Sequence, residues 1–88
     1  MRKLTILGAT GSIGLSTLDV VRRHADRYRV YALTAHRDIP GLVQQCDEFR
    51  PEFVCVADES LLDALAQALR QRGSKAVPLA GARSLEQL

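Results

Sequence analysis

The sequence predicts an α/β fold built on a parallel, helix-covered sheet. Two observations carry this. Strand-like and helix-like segments alternate along the chain in the order β-α-β-α-β-α-β. The FVCVA run is apolar throughout, as in a strand covered on both faces.

Each element has a local reason. Leu4–Leu7 is short, apolar and partly β-branched, and it stops at Gly8, so it reads as a buried strand. Residues 12–24 read as a helix whose buried stripe is Ile13, Thr17, Val20, Val21 and His24. Arg29–Thr34 is a second strand. Residues 38–49 form the clearest helix: Ile39, Leu42, Val43, Cys46 and Phe49 share one face, Asp38 can cap it, and Pro40 is tolerated in its first turn. Pro51 blocks its continuation. Phe53–Ala57 is a third strand. A helix over Ser60–Arg72 follows, with Ser60 and Asp63 resembling a capping box, Leu61, Leu62, Leu65 and Leu69 as its buried stripe, and Gly73 as its C′ residue. Ala76–Ala80 reads as a fourth strand, which Pro78 makes an edge or an irregular one. Ser84–Leu88 has the composition of a further helix start. Right-handed crossovers then order the first strands 3-2-1.

The segment Gly8-Ala9-Thr10-Gly11-Ser12-Ile13-Gly14 joins the first strand to the first helix. Its glycines vary the G-x-G-x-x-G dinucleotide fingerprint, in the strand-to-helix context that the fingerprint requires. Gly8 permits a sharp turn off the strand. Gly11 lets backbone approach a pyrophosphate, and Gly14 lets the helix pack closely. The N–H groups around Ser12 and Ile13, with the helix dipole, favour a phosphate anion. Thr10 and Ser12 add hydroxyls. The expected fold is therefore a Rossmann-like, doubly wound parallel sheet. No P-loop pattern occurs.

About 20 residues beyond this loop, an NAD site places a carboxylate for the ribose 2′-hydroxyl. Here His36, Arg37 and Asp38 follow the second strand. A guanidinium at Arg37 suits a 2′-phosphate by charge and geometry. Asp38 can reach the ribose or cap the next helix, and its place just before Ile39-Pro40 favours capping. His24 is expected to help finish the first helix. Cys46 and Cys55 lie on apolar faces and are expected to be core thiols. Asp58, Glu59 and Asp63 read as charges at a helix N-terminus, and Arg22, Arg23, Arg27 and Arg29 as a solvated basic cluster. No catalytic triad, paired carboxylates or metal-ligand spacing can be recognised.

Composition excludes several function classes. The 88 residues carry a net charge of +2, with 47% hydrophobic and 25% charged residues, which is ordinary globular composition. The positive balance is mild and dispersed, unlike a nucleic-acid surface. No apolar run approaches the roughly 20 residues that span a bilayer. Neither a secretory nor a transit signature opens the chain, and two cysteines suit a reducing compartment, so a cytoplasmic protein is expected.

Two stretches, KLTILGATGSIGLSTLDVVRRH (residues 3–24) and RYRVYALTAHRDIPGLVQQCDEFRPEFVCVADE (residues 27–59), resemble the start of the 1-deoxy-D-xylulose 5-phosphate reductoisomerase family. GATGSIG followed by STLDVV is the specific part of the resemblance, which fades after about Gly73. It implies an NADPH-dependent enzyme of non-mevalonate isoprenoid biosynthesis. Such enzymes isomerise and reduce 1-deoxy-D-xylulose 5-phosphate to 2-C-methyl-D-erythritol 4-phosphate with Mg or Mn, as homodimers. By motif, Thr10, Gly11, Ser12 and Ile13 would contact the NADPH phosphates and ribose, and His36, Arg37 and Asp38 the 2′-phosphate. Many members resemble Gly-Lys-Asn at the latter positions, so His36 and Asp38 depart from the pattern while Arg37 keeps the charge. The implied metal ligands and substrate-phosphate pocket lie beyond these 88 residues. The chain is therefore expected to be the N-terminal portion, 1–88, of an NADP-binding Rossmann-like domain, without the catalytic and C-terminal domains. Two other readings fit the glycine loop: the start of an NADP-dependent semialdehyde dehydrogenase, which needs a nucleophilic cysteine, and a non-catalytic nucleotide-binding module.

Overall fold

A computed structural model describes residues 2–81 and 84. Four strands and three helices alternate: β1 (Arg2–Ile6), α1 (Ser12–Arg23), β2 (Tyr28–Ala35), α2 (Ile39–Phe49), β3 (Phe53–Val56), a 3₁₀ turn (Glu59–Leu61), α3 (Leu62–Gln71) and β4 (Val77–Ala80). The strands form one parallel sheet in the order β1-β2-β3-β4. The 3-2-1 order of the first strands therefore holds, and Pro78 lies on the edge strand, as its missing N–H requires. Because the strands progress in one direction, right-handed crossovers put α1, α2 and α3 on one face. α2 lies between its neighbours: Arg22 of α1 pairs with Glu48, and Arg72 beyond α3 pairs with Asp47. The architecture is a Rossmann-like α/β sheet. No helix among the described residues is long and apolar enough to cross a membrane.

The core lies between sheet and helices. Ile6, Leu33 and Val54 from the sheet meet Leu18, Leu42 and Leu65 from the helices. A bulge keeps β2 in phase with this core. Leu4 pairs with Val30 but Thr5 with Ala32, so Tyr31 is an extra residue. Val30 before it and Leu33 after it, three apart, both reach the core, which strict alternation forbids.

Several elements differ from the expectation. β1 begins earlier and ends at Ile6, leaving Leu7 69% exposed. The buried stripe of α1 is Gly14, Leu18 and Val21, while Ile13 and Val20 are 83% and 50% exposed. The cause is Gly14. A Cβ there would lie 2.2 Å from the Gly8 carbonyl oxygen, so the glycine face, not the bulkiest one, is pressed inward. Ser60 and Asp63 form no capping box. Asp58 instead caps the 3₁₀ turn, accepting from the Ser60 backbone N–H at 3.0 Å and the Ser60 hydroxyl at 2.6 Å. α3 then starts at Leu62, which is 38% exposed, and buries Leu65 and Leu69. Its end matches the expectation. Gly73 is left-handed, and the Ser74→Leu69 and Gly73→Arg70 backbone bonds close a Schellman motif. The further helix expected over Ser84–Leu88 falls, apart from Ser84, outside the described residues.

Candidate functional site: the glycine loop and the β2–α2 turn

In open parallel sheets ligands gather at the carboxyl ends of the strands. The glycine loop leaves β1 at that end, and His36-Arg37-Asp38 leaves β2 beside it. Gly8 takes the left-handed conformation, φ +62°, so the chain turns sharply off the strand. The Gly11 N–H donates to the Gly8 carbonyl at 2.9 Å and closes the turn. β2 holds the loop from below. The Thr34 hydroxyl accepts from the Gly8 N–H at 3.1 Å and donates to the Ile6 carbonyl at 3.2 Å, and the Ala9 N–H donates to the Thr34 carbonyl at 2.7 Å.

This geometry leaves the start of α1 open. Its N-cap is Gly11, which has no side chain to satisfy the helix, and its first turn carries no acidic residue. The first intrahelical bond runs from Leu15 N–H to Gly11 carbonyl. The N–H groups of Ser12, Ile13 and Gly14 therefore have no acceptor among the described residues. Gly11, Ser12 and Ile13 are exposed and Thr10 is half-buried. Open backbone donors at the positive end of a helix dipole fit a phosphate.

α2 brings the second segment against the first. At Gly41 the helix passes so close that a Cβ would meet the Thr10 methyl at 2.8 Å and the Asp38 carboxylate at 2.5 Å. Thr10 and Asp38 thus line one shallow concavity. Asp38 is the α2 N-cap, accepting from the Gly41 N–H at 3.0 Å, which settles its role in favour of capping. Its exposed carboxylate nevertheless remains in the segment expected to meet a 2′-phosphate. Arg37 is 68% exposed and its Nε lies 3.5 Å from the Asp58 carboxylate. Hydrogen bonds from the Ser60 hydroxyl and backbone, with the nearby Arg37 and His36, hold the Asp58 carboxyl below its ordinary range. His36 is exposed, and its carbonyl accepts from the Asp58 N–H at 3.3 Å.

The other candidates are structural. His24 caps α1 through its backbone N–H, bonded to the Val20 and Val21 carbonyls. Burial pushes the Cys46 thiol up to about 12 and raises that of Cys55. Burial favours the neutral thiol at both, as expected of core cysteines. Arg22 and Arg23 are held by Asp19 and Glu48 on the surface. Among the described residues no three His, Cys, Asp or Glu side chains converge on a metal position. A concavity of about 720 Å³ is lined by Arg29, Arg50, Glu52 and Lys75 at the opposite, amino end of the strands. The open helix start, not cavity size, locates the candidate site.

Two residues at the site escape sequence reading. Thr34 looks like an ordinary strand threonine, and Gln45 like a polar residue of an amphipathic helix. Gln45 Nε2 donates to the Ala9 carbonyl at 2.8 Å across 36 residues. Only the βαβ crossover brings it there.

The known proteins that this chain is similar to include several of one family. The family model for 1-deoxy-D-xylulose 5-phosphate reductoisomerase matches residues 4–88, further along the chain than the motif resemblance reaches. The enzyme of that name from Cupriavidus necator is 55% identical over 86 residues, which are 98% of this chain and 22% of the relative. That from Dechloromonas aromatica is 53% identical over 73 residues, 83% of this chain and 18% of the relative. The solved Zymomonas mobilis reductoisomerase in complex with NADPH superimposes with a TM-score of 0.89 at 44% identity, covering 98% of this chain and 22% of that one. A reductoisomerase in complex with magnesium gives 0.92 at 38% identity, covering 97% of this chain and 21% of that one. The chain thus spans about a fifth of the length of these relatives. A family model matched over nearly the whole chain and relatives above 50% identity agree: the chain belongs to the 1-deoxy-D-xylulose 5-phosphate reductoisomerase family.

Proposed function

We propose that these residues form the NADPH-binding part of a reductoisomerase that converts 1-deoxy-D-xylulose 5-phosphate to 2-C-methyl-D-erythritol 4-phosphate. The observation that carries the reading is the uncapped start of α1, with free N–H groups at Ser12, Ile13 and Gly14 and no acidic residue in its first turn. In this reading Gly11, Ser12 and Ile13 receive the pyrophosphate through backbone N–H groups, and the Thr10 and Ser12 hydroxyls add donors. Ile13, 83% exposed, gives an apolar surface that a bound dinucleotide would cover. Arg37 meets the adenosine 2′-phosphate, with His36 beside it, while Asp38 fixes the turn by capping α2. When bound, NADPH supplies the hydride that reduces the carbonyl; the residues here bind and orient it.

The described residues do not fit a metal, so the Mg or Mn ion of the full enzyme is assigned to other ligands. The sugar phosphate substrate and homodimer assembly likewise belong to the proposal for the whole protein. Two buried, unpaired thiols suit a reducing, cytoplasmic setting.

Calorimetric titration of NADPH and NADH into wild type, Gly11→Val and Arg37→Ala tests the reading. Gly11 has φ −81°, which valine adopts; its Cβ would lie 3.3 Å from the Gly8 carbonyl oxygen, a tight contact, and its bulk would stand where the pyrophosphate approaches. Gly11→Val is expected to abolish binding of both cofactors. Arg37→Ala is expected to weaken NADPH about tenfold and leave NADH nearly unchanged, the low end for a charge-assisted bond because the side chain is exposed. Unchanged NADPH affinity in Gly11→Val contradicts the loop's role. Equal losses for both cofactors in Arg37→Ala make Arg37 structural.

A further inference from the structure

We propose that Gln45 is a positioning residue for cofactor binding: its side-chain amide holds the Ala9 carbonyl and so sets where the Thr10–Ile13 backbone meets the phosphates. The inference rests on the NADPH reading above. Ala9 is the pivot of the loop. It is fully buried, and it follows left-handed Gly8. The face of α1 at Gly14 presses directly on it, since a Gly14 Cβ would lie 2.7 Å from the Ala9 Cα. Both polar groups of Ala9 are held from outside the loop. Its N–H bonds to Thr34 of β2 at 2.7 Å, and its carbonyl accepts from Gln45 of α2 at 2.8 Å.

The chemistry fixes the orientation of the amide. A carbonyl only accepts, so Gln45 must present its nitrogen to Ala9. Its Oε1 is then buried with no partner among the described residues. An apolar side chain would avoid that penalty but leave the Ala9 carbonyl without its donor. Asp38, the N-cap of α2, and Gln45 are seven residues apart, on one helix face. Gln45 therefore ties the helix that begins at the 2′-phosphate segment to the loop that holds the pyrophosphate.

Gln45→Glu and Gln45→Leu separate positioning from packing. An ionised glutamate cannot donate and repels the Ala9 carbonyl; a protonated one donates its O–H and restores the bond. NADP+ affinity is measured by calorimetry between about pH 4 and pH 8 and expressed relative to wild type at each pH. That ratio removes the titration of the 2′-phosphate and of every group that the three proteins share. The charged groups that line the same concavity as Gln45 are Arg22 from α1, Asp38 before α2 and Glu48 on α2, and they are common to all three proteins. Gln45→Glu is expected to bind about tenfold more weakly than wild type at pH 8 and to recover toward it at pH 4, where most of an ordinary glutamate is protonated, whereas Gln45→Leu stays weaker at both. Parallel deficits in the two variants at every pH, or none, overturn the positioning role. Hydrogen exchange of the Gln45 side-chain amide in the unliganded wild type reads the clamp without cofactor and without a variant that must fold. Slow exchange supports the clamp, and exchange as fast as a free amide overturns it. A wild type that takes up no NADP+ overturns the NADPH reading instead, leaving the exchange result to judge the clamp alone.

Discussion

At Gly14 a single hydrogen atom decides how closely α1 lies on the loop. A methyl group there would sit 2.2 Å from the Gly8 carbonyl, 2.7 Å from the Ala9 Cα and 2.9 Å from the Ala9 carbonyl carbon. These are backbone atoms held by β2 and α2, so they cannot rotate away. Gly14→Ala is expected to cost about 3 kcal/mol, the upper end for overpacking, measured by urea unfolding. Thr34 acts at the same junction. Thr34→Val keeps the shape but removes the hydroxyl that bridges Gly8 and Ile6, and should cost about 1–2 kcal/mol by the same measurement. Gly8 and Gly14 were legible because each answers a local demand: a left-handed turn and a tight packing contact. Thr34 and Gln45 were not legible. Their partners lie 26 and 36 residues away, and only tertiary contact gives them meaning.

Among the elements, α2 was read most accurately because three signals agree: an apolar stripe, a capping aspartate and a following proline. The span of α1 was legible but its buried face was not, because the Gly14 face is the one pressed inward, and the start of α3 was misread because Asp58 outcompetes Ser60 as the cap. A carboxylate offers a stronger acceptor than a hydroxyl, and the Ser60 hydroxyl donates to it instead. The α2 cap gives a prediction that joins stability and cofactor choice. Asparagine caps as well as aspartate, so Asp38→Asn should leave thermal stability nearly unchanged. It also removes a negative charge from the proposed 2′-phosphate segment. A solvent-screened like-charge contact is worth about 1 kcal/mol, so NADPH should bind about fivefold more tightly while NADH changes little. Calorimetric titration of the two cofactors checks both halves.

For the molecule as a whole, the α/β class and the order of the first three strands were legible from alternating elements and crossover handedness, whereas the place of β4 beside β3 was not, since Pro78 marks an edge without saying which one. Nor was the bulge at Tyr31, since the strand reads as a plain apolar run. Burial makes the core thiols sensitive to alkali. Cys46 titrates near 9 ordinarily and at about 12 when folded, because burial disfavours its thiolate, with Asp47 adding to the effect. The raised value means that stability is full below about 9 and declines as pH rises toward about 12. Unfolding midpoints between these limits should fall more steeply for wild type than for Cys46→Ala. These 88 residues alone, about a fifth of the length of the relatives they match, are expected to give no NADPH oxidation with the sugar phosphate and Mg or Mn. Substrate-dependent turnover by the pure chain would contradict that.

The central claim is that the dinucleotide lies at the carboxyl end of the strands, across the glycine loop and the β2–α2 turn. The most direct measurement is a titration of the 15N-labelled chain with NADP+, followed by amide chemical shifts. The predicted result is a contiguous set of saturable shifts at Thr10–Ile13 and His36–Asp38. Saturable shifts centred instead on the larger concavity at the other end of the sheet, around Arg29, Arg50 and Lys75, would contradict the account.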